Sequence, residues 1–204
     1  MRLAGLKARK ARRRLPFDTG ERPEHSIAPN HLDREFHADA PNKRWVADFT
    51  YIWTQEGWLY FAVVLDLFSR RVVGWSMRND MTAELVTDAL VMALWRRGRP
   101  KELLHHSDQG SPYASDDYQK VLAAHDITCS MSRRGNCIDN AAMESWFSTF
   151  KFELGERFES YAEAKEKSFD YIEVFYNGHR RHSSLGYRSP AEFERSHFAA
   201  LEAA

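Results

Sequence analysis

Asp48, Asp108 and Glu144 are the side chains on which a chemistry can be built. Asp48 lies inside the run RWVADFTYIW, which is apolar on both sides of its alternation, so a strand there encloses it. An acid inside a buried strand is costly unless it is paired or holds a metal. Asp108 follows the apolar run LLHHS and precedes Gln109-Gly110. At the carboxyl end of a strand, acids in α/β proteins often face a ligand crevice. Glu144 lies 36 positions further on, early in a stretch with helical spacing. Singly, each has a structural reading: a satisfied acid at a sheet edge, an Asx-turn, a helix-surface acid. Together, three acids on three elements offer oxygen ligands to a hard cation, Mg2+ or Mn2+. Two such ions about 4 Å apart activate the attacking oxygen and stabilise the leaving one in an in-line displacement at phosphorus. The chemistry indicated is metal-dependent cutting or joining of nucleic acid.

Neighbouring residues extend that reading. Lys151 lies seven positions beyond Glu144, about two helical turns, so the two share a face. It is placed to meet DNA phosphate, or it is an exposed helix lysine. Arg133, Arg134, Asn136 and Asn140 occupy the loop before that helix, with Gly135 giving the loop freedom. Bases and amides there can contact phosphates and base edges. His105 and His106 belong to no CxxC or HExxH pattern, so zinc is discounted.

The elements that must position these groups follow from periodicity. Residues 44–53, WLYFAVVLD and RRVVGWSM read as three strands joined by short turns, an antiparallel meander. A helix follows, with Thr82 as N-cap, Glu84 in its first turn, and Gly98 and Pro100 as its stop. KELLHHS is a fourth strand, a helix lies near Ser115–His125, and ITCSMS is a fifth strand. Met143, Trp146, Phe147, Phe150 and Leu154 form the core stripe of the next helix. A long helix spans about Ser160–Tyr176, and a short final one starts at Pro190. The pattern predicts an α/β fold with a mixed five-stranded sheet flanked by helices. Residues 15–43 contain four prolines and read as a linker.

The totals narrow the class. The 204 residues are 43% hydrophobic with zero net charge, a globular composition. Residues 1–14 hold seven bases and no acid, which leaves 22 bases against 29 acids in the remainder. A basic arm on an acidic body suits a polyanion partner; a solvated, frayed terminus is the alternative. Cys129 and Cys137 have no metal-site spacing and read as reduced thiols. No secretory signal is evident, and the longest apolar run, Trp58–Leu65, is far too short to span a bilayer. These features predict a cytoplasmic protein with no membrane partner.

WVADFTYI, HSDQGSPY, SRRGNCIDNAAMESWFSTFK and YNGHRRHSSLGYRSPAEF, in this order, closely resemble the second-frame transposases of the IS-three group of bacterial insertion sequences. Their catalytic domain is similar to the retroviral integrase core. The likeness covers about residues 40–195, with the gap between Asp108 and Glu144 expected of a DDE site. It implies a ribonuclease-H-like fold, Mg2+ dependence, and cutting followed by strand transfer at the element's ends, in DNA integration and recombination. Position by position, Asp48, Asp108 and Glu144 become the triad, on two ions, and Lys151 the helix lysine paired with it. The GHRRHSSLGY segment matches a family motif of unassigned role. Phosphate contact by His179, Arg180, Arg181 and His182 is one reading, a turn-rich surface loop the other.

Members of this type also carry a helical DNA-binding region before the linker. RLAGLKARKARRR resembles its tail, with no complete helix-turn-helix before the core. A truncated copy or an alternative start is therefore expected. End recognition would come from the missing region, or from an upstream-frame helix-turn-helix protein, separate or fused. Acting on two DNA ends implies a homo-oligomer on DNA, in a protein that meets the nucleoid while it acts. The organisation expected is a basic arm and linker over 1–43, an integrase-like core over 44–178, and a basic C-terminal segment over 179–204. A hydrolytic nuclease of the same fold would use the same acids, and an inactive DNA-binding remnant is the non-enzymatic alternative.

Overall fold

The structure is a computed structural model that describes residues 16, 18, 27–155 and 157–203. The basic arm over 1–14 lies outside the described residues. The sheet is built from β1 (Arg44–Thr54), β2 (Gly57–Asp66), β3 (Val72–Arg78), β4 (Leu104–Ser107) and β5 (Thr128–Met131), in the order β3-β2-β1-β4-β5. β1, β2 and β3 pair antiparallel, and β1, β4 and β5 pair parallel, so the sheet is mixed. A sixth strand, β6 (Arg157–Phe158), adds two residues beside the far end of β1, parallel to Trp53 and Thr54. A strand that short carries no periodicity, which is why the sequence pattern shows five.

Helices α1 (Ala83–Arg97) and α2 (Asp116–Ala124) cover one face. The core there joins Trp45, Ala47, Val64 and Val73 to Leu85, Leu90 and Tyr118. α3 (Ala141–Leu154) covers the other face, with α4 (Tyr161–Phe169) beside it. Here Val46, Ile52, Phe61 and Val63 meet Met143, Trp146, Phe147 and Phe150, the expected stripe. Side chains alternate across a strand, so Val46 and Ile52 place Asp48 on the α3 face. β3 approaches α1 closely: a Cβ on Gly74 would run into the Ala89 carbonyl oxygen and lie 2.8 Å from Ala93 Cβ.

The expected long helix changes pitch. α4 ends at Phe169, and Asp170–Tyr176 winds as a π-helix that buries Tyr171, Ile172 and Tyr176. The wider turn rotates all three side chains inward, an effect that 3.6-residue spacing does not foresee. Beyond it, Asn177 folds back on β3: its Oδ1 accepts from Val72 N and its Nδ2 donates to Val72 O, both 3.0 Å. α5 (Pro190–Glu202) begins with a capping box between Ser189 and Glu192.

Glu194 ties α5 to the sheet. It is 3% exposed. Its carboxylate accepts from Arg97 at 2.8 and 2.9 Å, from Arg71 at 2.7 Å and from Ser69 Oγ at 2.8 Å. Removing one side of a buried ion pair strands the other charge, at about 3–5 kcal/mol. Glu194→Ala is therefore expected to lower the free energy of unfolding in urea by about 3 kcal/mol or more. A loss under about 1 kcal/mol would show that the arginines find water instead.

Candidate active site

Two carboxylates meet through strand register. β1 and β4 pair as Arg44↔Leu104, Trp45↔His105 and Val46↔His106. Two residues further, the same register sets Asp48 opposite Asp108, on strands about 4.8 Å apart. Asp48 is half-buried. Burial comes first and Asp108 second in pushing its pKa well above the usual carboxylate value; Glu144 adds to the rise, and an N–H bond from Phe49 at 2.8 Å opposes it. Both other expected acids thus act on Asp48.

Asp108 sits in an Asx-turn: Gly110 N donates to its Oδ1 at 2.9 Å. A Cβ on Gly110 would lie 2.9 Å from that oxygen, so the turn leaves no room for a side chain. The turn and a place just beyond the carboxyl end of β4 therefore coexist in this residue. Tyr113, buried two residues beyond Ser111, packs against Phe49 at 6.2 Å and Tyr118 at 5.3 Å. Burial, then Tyr118, Asp48 and Asp108, hold its hydroxyl protonated. Tyr113 belongs to the site although only its place in HSDQGSPY hinted at it.

Glu144 stands exposed in the first turn of α3. Among the described residues, no three His, Cys, Asp or Glu side chains are gathered into a group that could hold a metal. Asp48 and Asp108 form the fixed part of the site, and Glu144 approaches from the helix. Lys151 lies further along α3, with Nζ 5.4 Å from the centre of the Tyr51 ring.

The loop before α3 differs from expectation. Arg133 pairs with buried Asp139, from Nε and Nη2 at 2.8 Å, and its backbone N–H adds a third bond at 3.1 Å. Arg34 and Asn30 reach the same carboxylate at 2.9 and 3.1 Å. Arg133, with these other donors, holds the Asp139 pKa far below the usual range. Arg133 is thus a brace for the loop, where an open DNA contact was expected. Asn140 is 5% exposed and its amide has no hydrogen-bond partner among the described residues; burial keeps it from base edges. Arg134 is exposed and Asn136 half-buried. Arg180 forks onto Glu153, with Nε and Nη2 bonds at 2.7–3.0 Å, while Arg181 is exposed. The His105 and His106 rings are buried on hydroxyl partners, Tyr118 at 3.1 Å for the first, Ser130 at 2.8 Å and Ser132 at 3.1 Å for the second.

Similarity to known proteins points the same way as this geometry. Residues 38–137 match the family described as integrase core domain, and residues 125–190 match a second family of the same description. The transposase InsF for insertion sequence IS3A of Escherichia coli (strain K12) is 46% identical over 201 residues, 98% of this chain and 69% of that protein. The transposase for insertion sequence element IS904 of Lactococcus lactis subsp. lactis (strain IL1403) is 48% identical over 169 residues, 82% of this chain and 67% of that protein. Among solved structures, the HTLV-2 integrase catalytic core domain in complex with magnesium superposes with a TM-score of 0.54 at 18% identity. That match covers 78% of this chain and 99% of the other. A chain of the simian T-cell lymphotropic virus intasome gives 0.59 at 15% identity, over 87% of this chain and 60% of its own.

Two outcomes follow from the geometry. Asp48 has a raised pKa in the fold, so its stabilising contribution is complete below the unfolded carboxylate pKa of about 3.9 and is lost as pH rises through the raised value. Without divalent ions, Asp48→Asn is expected to be more stable than the wild type at neutral pH by roughly 1–3 kcal/mol, the scale of an uncompensated polar group in a buried place. The gap should close as pH falls; a gap independent of pH in paired thermal melts would contradict the repulsion. Gly110→Ala should displace the Asp108 carboxylate, cutting catalytic turnover at least about tenfold, a change of about 1.4 kcal/mol in the barrier. Its melting temperature should move far less than its activity.

Proposed function

The chain belongs to the IS3 insertion-sequence transposases and carries their integrase core, and we propose that Asp48, Asp108 and Glu144 are its catalytic, divalent-metal triad. The observation that supports this most is the β1–β4 register that brings Asp48 and Asp108 together: burial, then the charge of Asp108, and last that of Glu144 raise Asp48, and a cation would relieve them. The donors are oxygens only, the set a Mg2+ or Mn2+ pair favours over zinc. Bound there, the ions supply Lewis-acid activation and neutralise charge developing at phosphorus.

The chain's own groups do the rest. Asp48 and Asp108, anchored on adjacent strands and held by the Phe49 and Gly110 N–H groups, define the fixed wall. Glu144 completes the set from the first turn of α3. Lys151 steadies the strand's phosphate two turns along, and exposed Arg134 and Arg181, with half-buried Asn136, meet DNA on the flanks. Asp139, through Arg133 and Arg34, positions the start of α3. The enzyme works in the bacterial cytoplasm on the element's ends and on target DNA, as an oligomer, with end recognition from a helix-turn-helix partner or fusion. Among the described residues no helix is long and apolar enough to cross a membrane.

Labelled duplex carrying the element ends, incubated with the full chain, its helix-turn-helix partner and Mg2+, is expected to give joined products. Chelation of the metal should abolish them. Asp108→Asn and Glu144→Gln should each lower the rate by roughly a hundredfold or more, in line with the several kcal/mol a catalytic metal contributes. Cut products without joining would favour a hydrolytic nuclease. Wild-type activity that survives in either variant would sink the triad.

A further inference from the structure

A polar pocket of about 270 Å³ opens where α3, the turn after β2 and the C-terminal segment meet. Arg70, Ser145, Trp146, Arg180, His182 and Ser184 supply its polar side chains together with Thr149 and Tyr176. Among the described residues no carboxylate lines it, and every polar side chain on the wall can donate a hydrogen bond. Such a lining selects for a ligand that only accepts.

Arg70 is the unusual member. It is half-buried, at φ 60° in the turn joining β2 to β3. Burial lowers its pKa, and the group that acts most to restore it is the Tyr176 hydroxyl rather than an acid. Arg180 is already matched by Glu153. Among the described residues, the Arg70 charge is therefore the uncompensated one on this wall. His182 Nε2 is enclosed without a hydrogen-bond partner among the described residues, while the Trp146 indole N–H is turned to the Tyr176 hydroxyl. The His182 pKa falls to about 4, through burial and then the positive charges of Arg180 and Arg70, so the pocket is electropositive. An enclosed ring nitrogen without a partner and an unmatched guanidinium are costly unless a ligand bonds to them.

We infer that this pocket is a phosphate subsite for the DNA strand, with Arg70 as its charged anchor and Ser145, Ser184 and His182, in its Nε2–H tautomer, as donors. The inference rests on the transposase reading and extends it to a contact away from the carboxylates. Its size admits one phosphate group with water and falls below that of pockets for drug-sized organic ligands. Its position ties it to the chemistry: Ser145 follows Glu144 directly on α3, about 100° further round the helix. One stretch of α3 therefore carries Glu144 and borders the pocket through Ala142, Ser145, Trp146 and Thr149. Charge-assisted bonds from a guanidinium fork are the strong kind for phosphate.

The full chain is titrated with labelled duplex across a series of NaCl concentrations, without Mg2+. Arg70→Gln keeps the backbone and removes the charge; Ser184→Asp leaves Arg70 in place and puts an acid at the exposed rim. Each is expected to weaken binding several-fold and to flatten the slope of log K against log salt by about 1, the signature of one lost phosphate contact. Circular dichroism melts like the wild type's confirm folding. If both variants fold and keep the wild-type affinity and slope, the subsite is refuted. If inorganic phosphate raises the wild-type melting temperature but not that of Arg70→Gln, while DNA slopes are unchanged, the pocket takes a free anion and the DNA assignment falls. Asp108→Asn separates the two readings: it should lose cleavage yet keep the wild-type slope. Cleavage that persists in it would count against the triad and leave the subsite standing.

Discussion

Asp48 and Asp108 repel each other, and the fold holds them together regardless. The pairing of β1 with β4 sets both on adjacent strands, and β2 pins β1 along its length, from Trp45↔Asp66 to Thr54↔Gly57. β1 therefore cannot slide to separate the charges. A slip of one residue would also turn Asp48 away from α3 and bring Ala47 and Phe49 to the wrong face. The hydrophobic register that builds the core is thus the same register that crowds the acids. Two backbone N–H groups, from Phe49 and Gly110, offset part of the repulsion, and Asp48 remains a reluctant anion. On the proposed triad reading, stability is given up locally to keep a site ready for positive charge.

Placement of the third acid depends on two unlike forces. The underside of α3 is aromatic: Trp146 stacks on Phe150 at 5.4 Å, and Phe61 meets Trp146, Phe147 and Phe150 at 5.0–6.1 Å. Those contacts fix the height and roll of the helix. Its N-terminal start is fixed by charge, since Asp139 gathers Arg133, Arg34 and Asn30. Residues 30–34 are thereby tied to the active-site loop, so a stretch that reads as linker acts as a strap. Glu144 stands about one turn beyond this brace, so the brace and the aromatic underside together set its reach toward Asp48.

Features set by local rules were legible in the sequence. The β1 alternation, the Thr82-to-Gly98 helix limits and the α3 stripe depend on spacing and caps, and all appear in the fold. What was hidden depends on partners far along the chain. The role of Arg133 in bracing Asp139 was hidden because the carboxylate is shared with Arg34, about a hundred residues away. Asn140 looked like a surface amide, but the packing of α3 buries it. The π-helix at Asp170–Tyr176 answers to the pull of the core on Tyr171, Ile172 and Tyr176 rather than to a periodic signal. Nothing in the residues themselves announces that Asp48 and Asp108 are opposite; only strand pairing does.

The C-terminal motif shows how one segment serves two demands. Asn177, Ser189 and Glu194 all turn inward: one completes the hydrogen bonding of β3, one caps α5, one neutralises Arg97 and Arg71. These three anchors are 12 and 5 positions apart, and they leave the chain between Asn177 and Ser189 tethered at both ends. A tethered turn can hold side chains in a defined direction without being buried itself. Arg180 and His182 occupy that stretch and are aimed back at Tyr176, at 5.9 and 5.1 Å from its ring. The inward residues make the motif part of the fold, and the residues between them are thereby fixed beside α3. Positional rigidity of this kind is what an ordinary basic tail lacks, and it separates a built contact from a diffuse attraction to DNA.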